Sequence, residues 1–310
     1  MVKKHNNILI GPKSAINVDN RGATELMSRF FKHDENYKVH YIDEINIIDV
    51  VRWIYLDSSF KLIGVSYYGI LKIILVKYLM FFTRGRIDIY RTATYSGNLR
   101  LLAERTLGLA TCPSNDISIL CLHERVSSLY CDAKIYNIIP ALKSDLTRNK
   151  NLNTCKEGSI KYNFGYIGRV CAEKGFYSAV NALNRLDFLG FSCTVNILAW
   201  TEKDKQICKN LLNDSVNKVI KNKVDTKEPP FYNDIDILIL PYKSLTSTVQ
   251  VPFVVLEAII SGCIVITSND IKNVVNPLLG ALSHKLYSYN NESEIIGLCK
   301  KCINDLKQQV

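Results

Sequence analysis

A glycine-rich turn with two positive charges is the first stretch of the sequence suited to chemistry. Residues 164–175 read Phe-Gly-Tyr-Ile-Gly-Arg-Val-Cys-Ala-Glu-Lys-Gly, and the spacing predicts a buried strand ending at Gly168, a loop and then a helix. Glycine lets the backbone approach a ligand, and a helix N-terminus presents free N–H groups and a partial positive charge. Arg169 adds a bidentate fork and Lys174 a point charge. Because a helix dipole disfavours cations at this end, the pair predicts an anionic partner such as a diphosphate.

A carboxylate in an apolar helix is the second candidate. Pro252 suits the first turn of a helix, and Glu257 follows one turn later between apolar residues. A carboxylate in such surroundings is unfavourable unless it accepts hydrogen bonds. Glu257 is therefore predicted either to accept hydrogen bonds in these apolar surroundings or to face solvent at the helix surface.

Together the two segments resemble the signatures of glycosyltransferase family 4, retaining enzymes of the GT-B fold. Gly168-Arg169 followed by Glu173-Lys174-Gly175 resembles the family's G-R-x-x-x-E-K-G, and residues 252–266 resemble its helix–turn–strand segment with a central glutamate. The clear resemblance covers about residues 160 to 290. It implies that Arg169 and Lys174 hold the donor diphosphate as catalytic residues beside Gly168, and that Glu257 accepts hydrogen bonds from the ribose.

The loop before this helix departs from the family pattern. The resemblance implies a first glutamate eight residues before Glu257, near the donor sugar, and Val249 occupies that position. Its neighbours Thr248 and Gln250 supply a hydroxyl and an amide. We predict that this loop contacts the donor with Thr248, Val249 and Gln250; the alternative is that they are ordinary loop residues.

The N-terminal half supplies weaker candidates. The resemblance implies a glycine near the start of the first helix that lets donor phosphate or acceptor approach the backbone, and Gly22 is the choice. It also implies a histidine after a later strand, which is missing after the strand predicted over residues 87–92. Arg91 and Tyr95 are candidates to replace it, as is His123 after the next strand, although a lone histidine at a strand end is more often structural.

Strands and helices alternate on both sides of one polar stretch. This predicts an α/β protein with two Rossmann-like domains (GT-B) and the site in the interdomain cleft, at the carboxyl ends of parallel strands. The predicted bounds are 1–145 for the N-terminal acceptor-side domain, 146–160 for the linker and 161–310 for the C-terminal nucleotide-sugar-binding domain. The N-terminal pattern includes a strand over residues 62–66. In the C-terminal pattern the strands at 264–267 and 286–288 follow one another with no helix between them.

Composition and charge limit the kinds of partner that are expected. The net charge of +10 favours anionic partners, but the basic residues are dispersed, so no nucleic acid is expected. The chain lacks a run of 18 uncharged apolar residues, which argues against a spanning helix. The apolar and basic segment 61–86 predicts either a helix packed on the sheet or a peripheral contact with an anionic membrane surface.

Metal and cofactor chemistry is not expected. Ten scattered cysteines without a signal peptide indicate a reducing cytoplasm, and Asp234-Ile-Asp236 is read as a strand cap and not a metal site. The nucleotide sugar is the donor substrate, so the cofactor prediction is none and the metal prediction is none.

The predicted function is that of a retaining, metal-independent glycosyltransferase, moving a sugar from a UDP- or GDP-sugar to a hydroxyl acceptor such as a glycan or glycolipid. The expected location is the cytoplasm, including the inner membrane surface, and a homodimer is a further expectation. Two alternatives stay open: a nucleotide-sugar-binding protein without transfer activity, and a GT-B-fold sugar-nucleotide epimerase.

Overall fold

Within the residues that the structure describes, the chain forms two parallel sheets of six strands each. Contacts divide it into two compact units, the first mainly Met1–Ile138 and the second Ile139–Thr248 with Pro252–Val310. The predicted α/β class with two sheet domains is therefore confirmed, while the predicted linker at 146–160 lies outside the described residues. The computed structural model describes residues 7–11, 37–41, 44–65, 67–80, 83–91, 98–112, 114–121, 130, 133–135, 162–189, 193–199, 201–222, 231–243 and 252–308.

The first unit is built on a sheet in the order β2-β1-β3-β4-β5-β6. Its strands are β1 (Asn7–Gly11), β2 (Tyr37–Tyr41), β3 (Ser59–Ile63), β4 (Ile87–Arg91), β5 (Ile117–Cys121) and β6 (Lys134–Ile135), and its described helices are α1 (Ile47–Tyr55), α2 (Tyr67–Leu79) and α3 (Asn98–Thr111). The connections from β2 to β3, from β3 to β4 and from β4 to β5 all move in the same direction across the sheet. Right-handed crossovers therefore place α1, α2 and α3 on one face.

The second unit has the order β12-β11-β10-β7-β8-β9. Its strands are β7 (Tyr162–Ile167), β8 (Cys193–Ala199), β9 (Asn217–Asn222), β10 (Ile237–Leu240), β11 (Ile264–Ser268) and β12 (Leu286–Tyr289). Its α-helices are α4 (Phe176–Phe188), α5 (Glu202–Leu211), α6 (Phe253–Ile260), α7 (Asn269–Leu279) and α8 (Ile295–Lys307). Every residue of β10 is buried, as expected of a parallel strand with helices on both faces.

The pairing of β10 with β7 positions the site. Ile237 pairs with Phe164 in parallel register, so the carboxyl ends of the two strands lie side by side. The segments that follow them, Gly168–Gly175 and Pro241–Lys243, are thereby brought together although they are far apart in sequence.

Two elements differ from the sequence expectations. Strand β3 occupies residues 59–63 and not 62–66, because Gly64 takes a left-handed φ of 63° directly after the strand. Helix α7 was not predicted, because Pro277 lies inside it and proline normally interrupts a helical pattern. Its buried stripe of Ile271, Val274, Val275 and Leu279 nevertheless holds it against the sheet. The predicted first helix from Gly22 lies outside the described residues.

Among the helices of the described ranges, none combines the length and the apolar character that crossing a bilayer requires.

Candidate functional site

The two predicted cationic residues, Arg169 and Lys174, lie in different parts of the turn after β7. Arg169 lies in the loop after Gly168, where the Cys171 N–H donates to the Arg169 carbonyl at 3.0 Å. A 3₁₀ turn at Ala172–Lys174 follows, and α4 begins only after Gly175. The helix therefore begins at Phe176, and Lys174 lies in the turn that leads into it.

Gly175 fixes this turn against the segment that follows β10. Its φ is 69°, a left-handed value that favours glycine, and a Cβ atom there would lie 1.7 Å from the carbonyl oxygen of Pro241. Two residues earlier in the turn, the Glu173 carbonyl accepts a hydrogen bond from the Lys243 N–H at 3.1 Å. The cation-bearing turn is thus joined to Pro241–Lys243 by a close backbone approach and a hydrogen bond.

Lys174 is half-buried and lies on an aromatic ring. Its Nζ is 4.7 Å from the ring centroid of Tyr242, a cation–π distance. Burial, and after it the positive charge of Arg169, lowers the pKa of Lys174 to about 8. Arg169 itself is exposed, and its carbonyl accepts a hydrogen bond from the Tyr166 hydroxyl at 2.9 Å.

Like charges this close, one of them partly desolvated, disfavour each other until an anion lies between them. A doubly charged group such as a diphosphate would relieve this repulsion, because it could accept hydrogen bonds from exposed Arg169 and from half-buried Lys174 together.

Glu257 lies in the middle of α6 and is half-buried. The hydroxyl of Tyr232, in the turn before β10, donates to Glu257 Oε2 at 2.5 Å. Burial and the Glu257 carboxylate raise the pKa of Tyr232 well above its ordinary value, so Tyr232 stays a donor. The carboxylate is thereby held in one orientation, and as an ionised acceptor it can bind further hydroxyl groups.

An ion pair links the segment Pro241–Lys243 to the residues that follow β12, an edge strand of the second sheet. Lys243 Nζ lies 3.2 Å from Glu292 Oε1, and the Ser178 hydroxyl on α4 donates to Glu292 Oε2 at 2.6 Å. The hydrogen bond from Ser178, and then Lys243, lowers the pKa of Glu292. The first turn of α4 is therefore linked to the residues after β12 and after β10.

Sequence reasoning missed Tyr232, Tyr242, Lys243 and Glu292. The one available signal was a tyrosine directly after the Ile-Leu-Pro end of a fully apolar strand, where ligand-facing residues collect in parallel sheets.

Arg91 is the described candidate from the first unit. It ends β4, is nearly fully buried and forms an ion pair with Glu104 of α3. Glu104 also accepts a hydrogen bond from Tyr130. Glu104 compensates the buried charge of Arg91, and the contact of Arg91 with a donor stays a prediction.

The other predicted site residues lie outside the described residues: Gly22, Tyr95, His123, Thr248, Val249 and Gln250. Within the described ranges, no group of three or more His, Cys, Asp or Glu side chains is placed to hold a metal ion. Asp236 instead joins β10 to β7, since its carboxylate accepts from the Asn163 N–H at 3.0 Å.

Comparison with known proteins identifies the fold. No protein-family model and no curated protein sequence matches the chain. A crystal structure of a glycosyltransferase from Rickettsia africae ESF-5 is similar with a TM-score of 0.63 at 12% identity, covering 97% of this chain and 89% of that one. An alpha-glucosyltransferase in complex with UDP and a 13-mer DNA has a TM-score of 0.52 at 11% identity, covering 97% and 90%. The apo structure of OtsA has a TM-score of 0.52 at 10% identity, covering 96% and 91%.

At such identities the likeness concerns the fold. The two parallel α/β sheets with their helices are those of GT-B glycosyltransferase structures.

Proposed function

We propose that the protein is a glycosyltransferase that uses a nucleotide-diphosphate sugar as donor. The observation that carries the proposal is the pair of Arg169 and half-buried Lys174 at the carboxyl end of β7, with Glu257 held by Tyr232 in the same unit. Cations for a diphosphate and a carboxylate for hydroxyl groups are what a nucleoside diphosphate requires. The GT-B fold is an analogy that supports the same activity.

In this proposal the donor phosphates bind Arg169 and Lys174 near Gly168, and the ribose hydroxyls donate to Glu257. As the bond between the anomeric carbon and the phosphate oxygen breaks, negative charge develops on the leaving nucleoside diphosphate. Two preorganised cations stabilise that charge more than they stabilise the bound donor, which lowers the barrier.

The finer assignments extend this proposal. We propose retention of anomeric configuration, as in glycosyltransferase family 4, with the leaving phosphate taking the acceptor proton and without a metal ion. The acceptor is a hydroxyl group of a glycan or glycolipid. The placement of the acceptor beside the donor in a cleft between domains stays a prediction.

A surface of the first unit supports a lipid-linked acceptor. Most exposed large apolar side chains of the described residues lie on α1, α2 and α3, and we call them the apolar helix face. On α2, Tyr68 is 78% exposed, Leu75 59% and Leu79 71%. A helix that is apolar on all sides is normally covered by another surface. The apolar helix face therefore needs a partner.

The charges on these helices favour an anionic bilayer as that partner. Among the described side chains of these helices, the charged ones in the exposed class are Arg52 and Arg105, while Asp49 and Lys72 are half-buried. In a two-fold dimer such a face would bring like charges together, whereas anionic lipid headgroups complement them. We propose a cytoplasmic protein that contacts the inner membrane surface through this face. A homodimer stays a prediction, and co-sedimentation with anionic vesicles, run beside size measurement in solution, distinguishes it from membrane contact.

The donor assignment is tested by calorimetric titration with UDP, GDP, UDP-glucose and GDP-mannose. We expect either the two uridine nucleotides or the two guanosine nucleotides to bind. Arg169→Ala or Lys174→Met should weaken that binding at least ~10-fold, because one charge-assisted contact is lost. Arg185→Ala and Lys203→Met are matched controls, because both side chains are exposed on other parts of the second unit. Unchanged binding in both site variants would reject the assignment.

Activity is tested by mass spectrometry of donor hydrolysis and of transfer to glycan and glycolipid acceptors. Binding with no turnover across all acceptors would favour a nucleotide-sugar-binding protein, and a changed sugar on the intact donor would favour an epimerase. Transfer with retained configuration would support the function proposed here.

A further inference from the structure

Tyr242 contacts Lys174 from the segment that follows β10, the strand next to β7. Its backbone N–H donates to the Leu240 carbonyl at 2.9 Å, so the chain turns tightly as β10 ends. Its side chain is only 5% exposed. A buried ring on a tight turn is a rigid surface, and Lys174 Nζ lies 4.7 Å above it.

Lys174 needs such a surface. A lysine side chain is flexible and normally extends its ammonium into water. Burial disfavours the charge of Lys174, and the neighbouring Arg169 opposes it further. The negative face of the Tyr242 ring lies within cation–π distance of the ammonium and attracts it.

The neighbours of the ring place it between the two parts of the site. Burial first, and then Cys171 and Glu257, raise the pKa of Tyr242, so the Glu257 carboxylate is close enough to act on it. Pro241 and Lys243 on either side are fixed to Gly175 and Glu173, as described above. Lys243 has its own partner in Glu292, and Tyr166 donates to the Arg169 carbonyl.

We propose that Tyr242 is a positioning residue for donor binding: its ring holds the Lys174 ammonium beside Arg169, in the place that a diphosphate requires. This inference rests on the function proposed above for the same site. The phenol hydroxyl is not needed for it, whereas the aromatic face is. Tyr242→Phe keeps the face, and Tyr242→Leu keeps apolar volume without it.

The reactivity of Lys174 tests the inference without any ligand. Only a neutral amine reacts with acetic anhydride, so the extent of acetylation across pH 6–11, measured by mass spectrometry, gives a titration midpoint for each lysine. We expect Lys174 to have a midpoint near 8 in the wild type and in Tyr242→Phe. In Tyr242→Leu the ammonium turns out to water, and the midpoint rises by about one unit or more toward the ordinary lysine value. Lys203 in the same digest is the internal control.

Binding of inorganic pyrophosphate gives the second readout. We expect Tyr242→Leu to weaken it about tenfold and Tyr242→Phe to leave it unchanged, since one desolvated cation–π contact is lost. In the Lys174→Met background, Tyr242→Leu should have no further effect. Tyr242→Met is made in parallel in case Tyr242→Leu fails to fold.

The outcomes separate the two claims. A wild-type midpoint for Lys174 in Tyr242→Leu, or an equal loss in Tyr242→Phe, would overturn the role of Tyr242. Absence of pyrophosphate and nucleotide binding in the wild type would overturn the proposed function, while the acetylation profiles would still decide whether Tyr242 positions Lys174.

Discussion

Replacing Lys174 with methionine should stabilise the ligand-free protein at neutral pH. A charged group whose pKa falls on folding opposes folding, because the unfolded chain binds the proton more tightly than the native state. For Lys174 the pKa falls from 10.5 to about 8. Taken in full, a shift of this size corresponds to about 3.4 kcal/mol at about 1.4 kcal/mol per unit.

The expected gain is smaller than this limit. Lys174 is only half-buried, so solvent screens part of its charge, and methionine gives up the contact with Tyr242. We therefore expect Lys174→Met to raise the free energy of unfolding by about 1–2 kcal/mol at pH 7. The sign follows from proton binding: between pH 8 and 10.5 the unfolded state holds a proton that the native state has lost, so wild-type stability rises with pH there.

The assay is urea unfolding followed by circular dichroism at pH 7.0, 8.5 and 10.5. The advantage of Lys174→Met should be full at pH 7.0, reduced at pH 8.5 and absent at pH 10.5. Lys203→Met, at an exposed position on α5, should show no such pH dependence. The burial of an unfavourable charge would be refuted if Lys174→Met were less stable than the wild type at pH 7. It would also be refuted if the difference in free energy of unfolding between the two proteins were the same at all three pH values.

Four further outcomes follow from the same structure. Gly175→Ala should lower the free energy of unfolding by about 3 kcal/mol in denaturant titration, because the position has a left-handed φ and no room for a Cβ atom. Glu257→Gln should weaken UDP or GDP binding about tenfold in calorimetry and leave pyrophosphate binding unchanged, since it removes a charged acceptor for the ribose alone. Nucleotide binding at pH 8 should take up about half a proton, measured in buffers of different ionisation enthalpy, and Lys174→Met should abolish this uptake. Leu75→Glu should prevent co-sedimentation with anionic vesicles, whereas Leu189→Glu, an exposed leucine of the second unit, should not.

The fold was predictable where local pattern and tertiary environment agree. Apolar runs such as β10, bounded by turn residues, specify buried parallel strands, and the capping box of Asn46 and Asp49 marks the start of α1. The pattern failed at α7, where burial of one apolar stripe outweighs the presence of Pro277. Local propensity is a weak constraint when a helix can pack its face against a sheet.

The site was predictable only in part, for a related reason. Arg169 and Lys174 are close in sequence, and their types and spacing indicate a phosphate site. Tyr242 directly follows an apolar strand, which marks it as a candidate, but its contact with Lys174 is recognisable only after β10 has been paired with β7. Tyr232 and Glu257 likewise meet only in the folded chain, and nothing local separates a positioning role of either tyrosine from simple burial.

Two features of the turn after β7 reduce the stability of the protein, and the anion binding proposed for this turn explains both. A partly desolvated ammonium beside a guanidinium, and a backbone that only glycine can adopt, both reduce the stability of the ligand-free protein. The buried strands β7 and β10 and the contacts of Lys243 with Glu173 and Glu292 compensate for this locally. A bound anion removes the repulsion between the cations, so the free energy that folding loses there is regained on binding. A site that is electrostatically strained when empty therefore discriminates by charge: a neutral sugar gains nothing from the two cations, and a diphosphate gains from both.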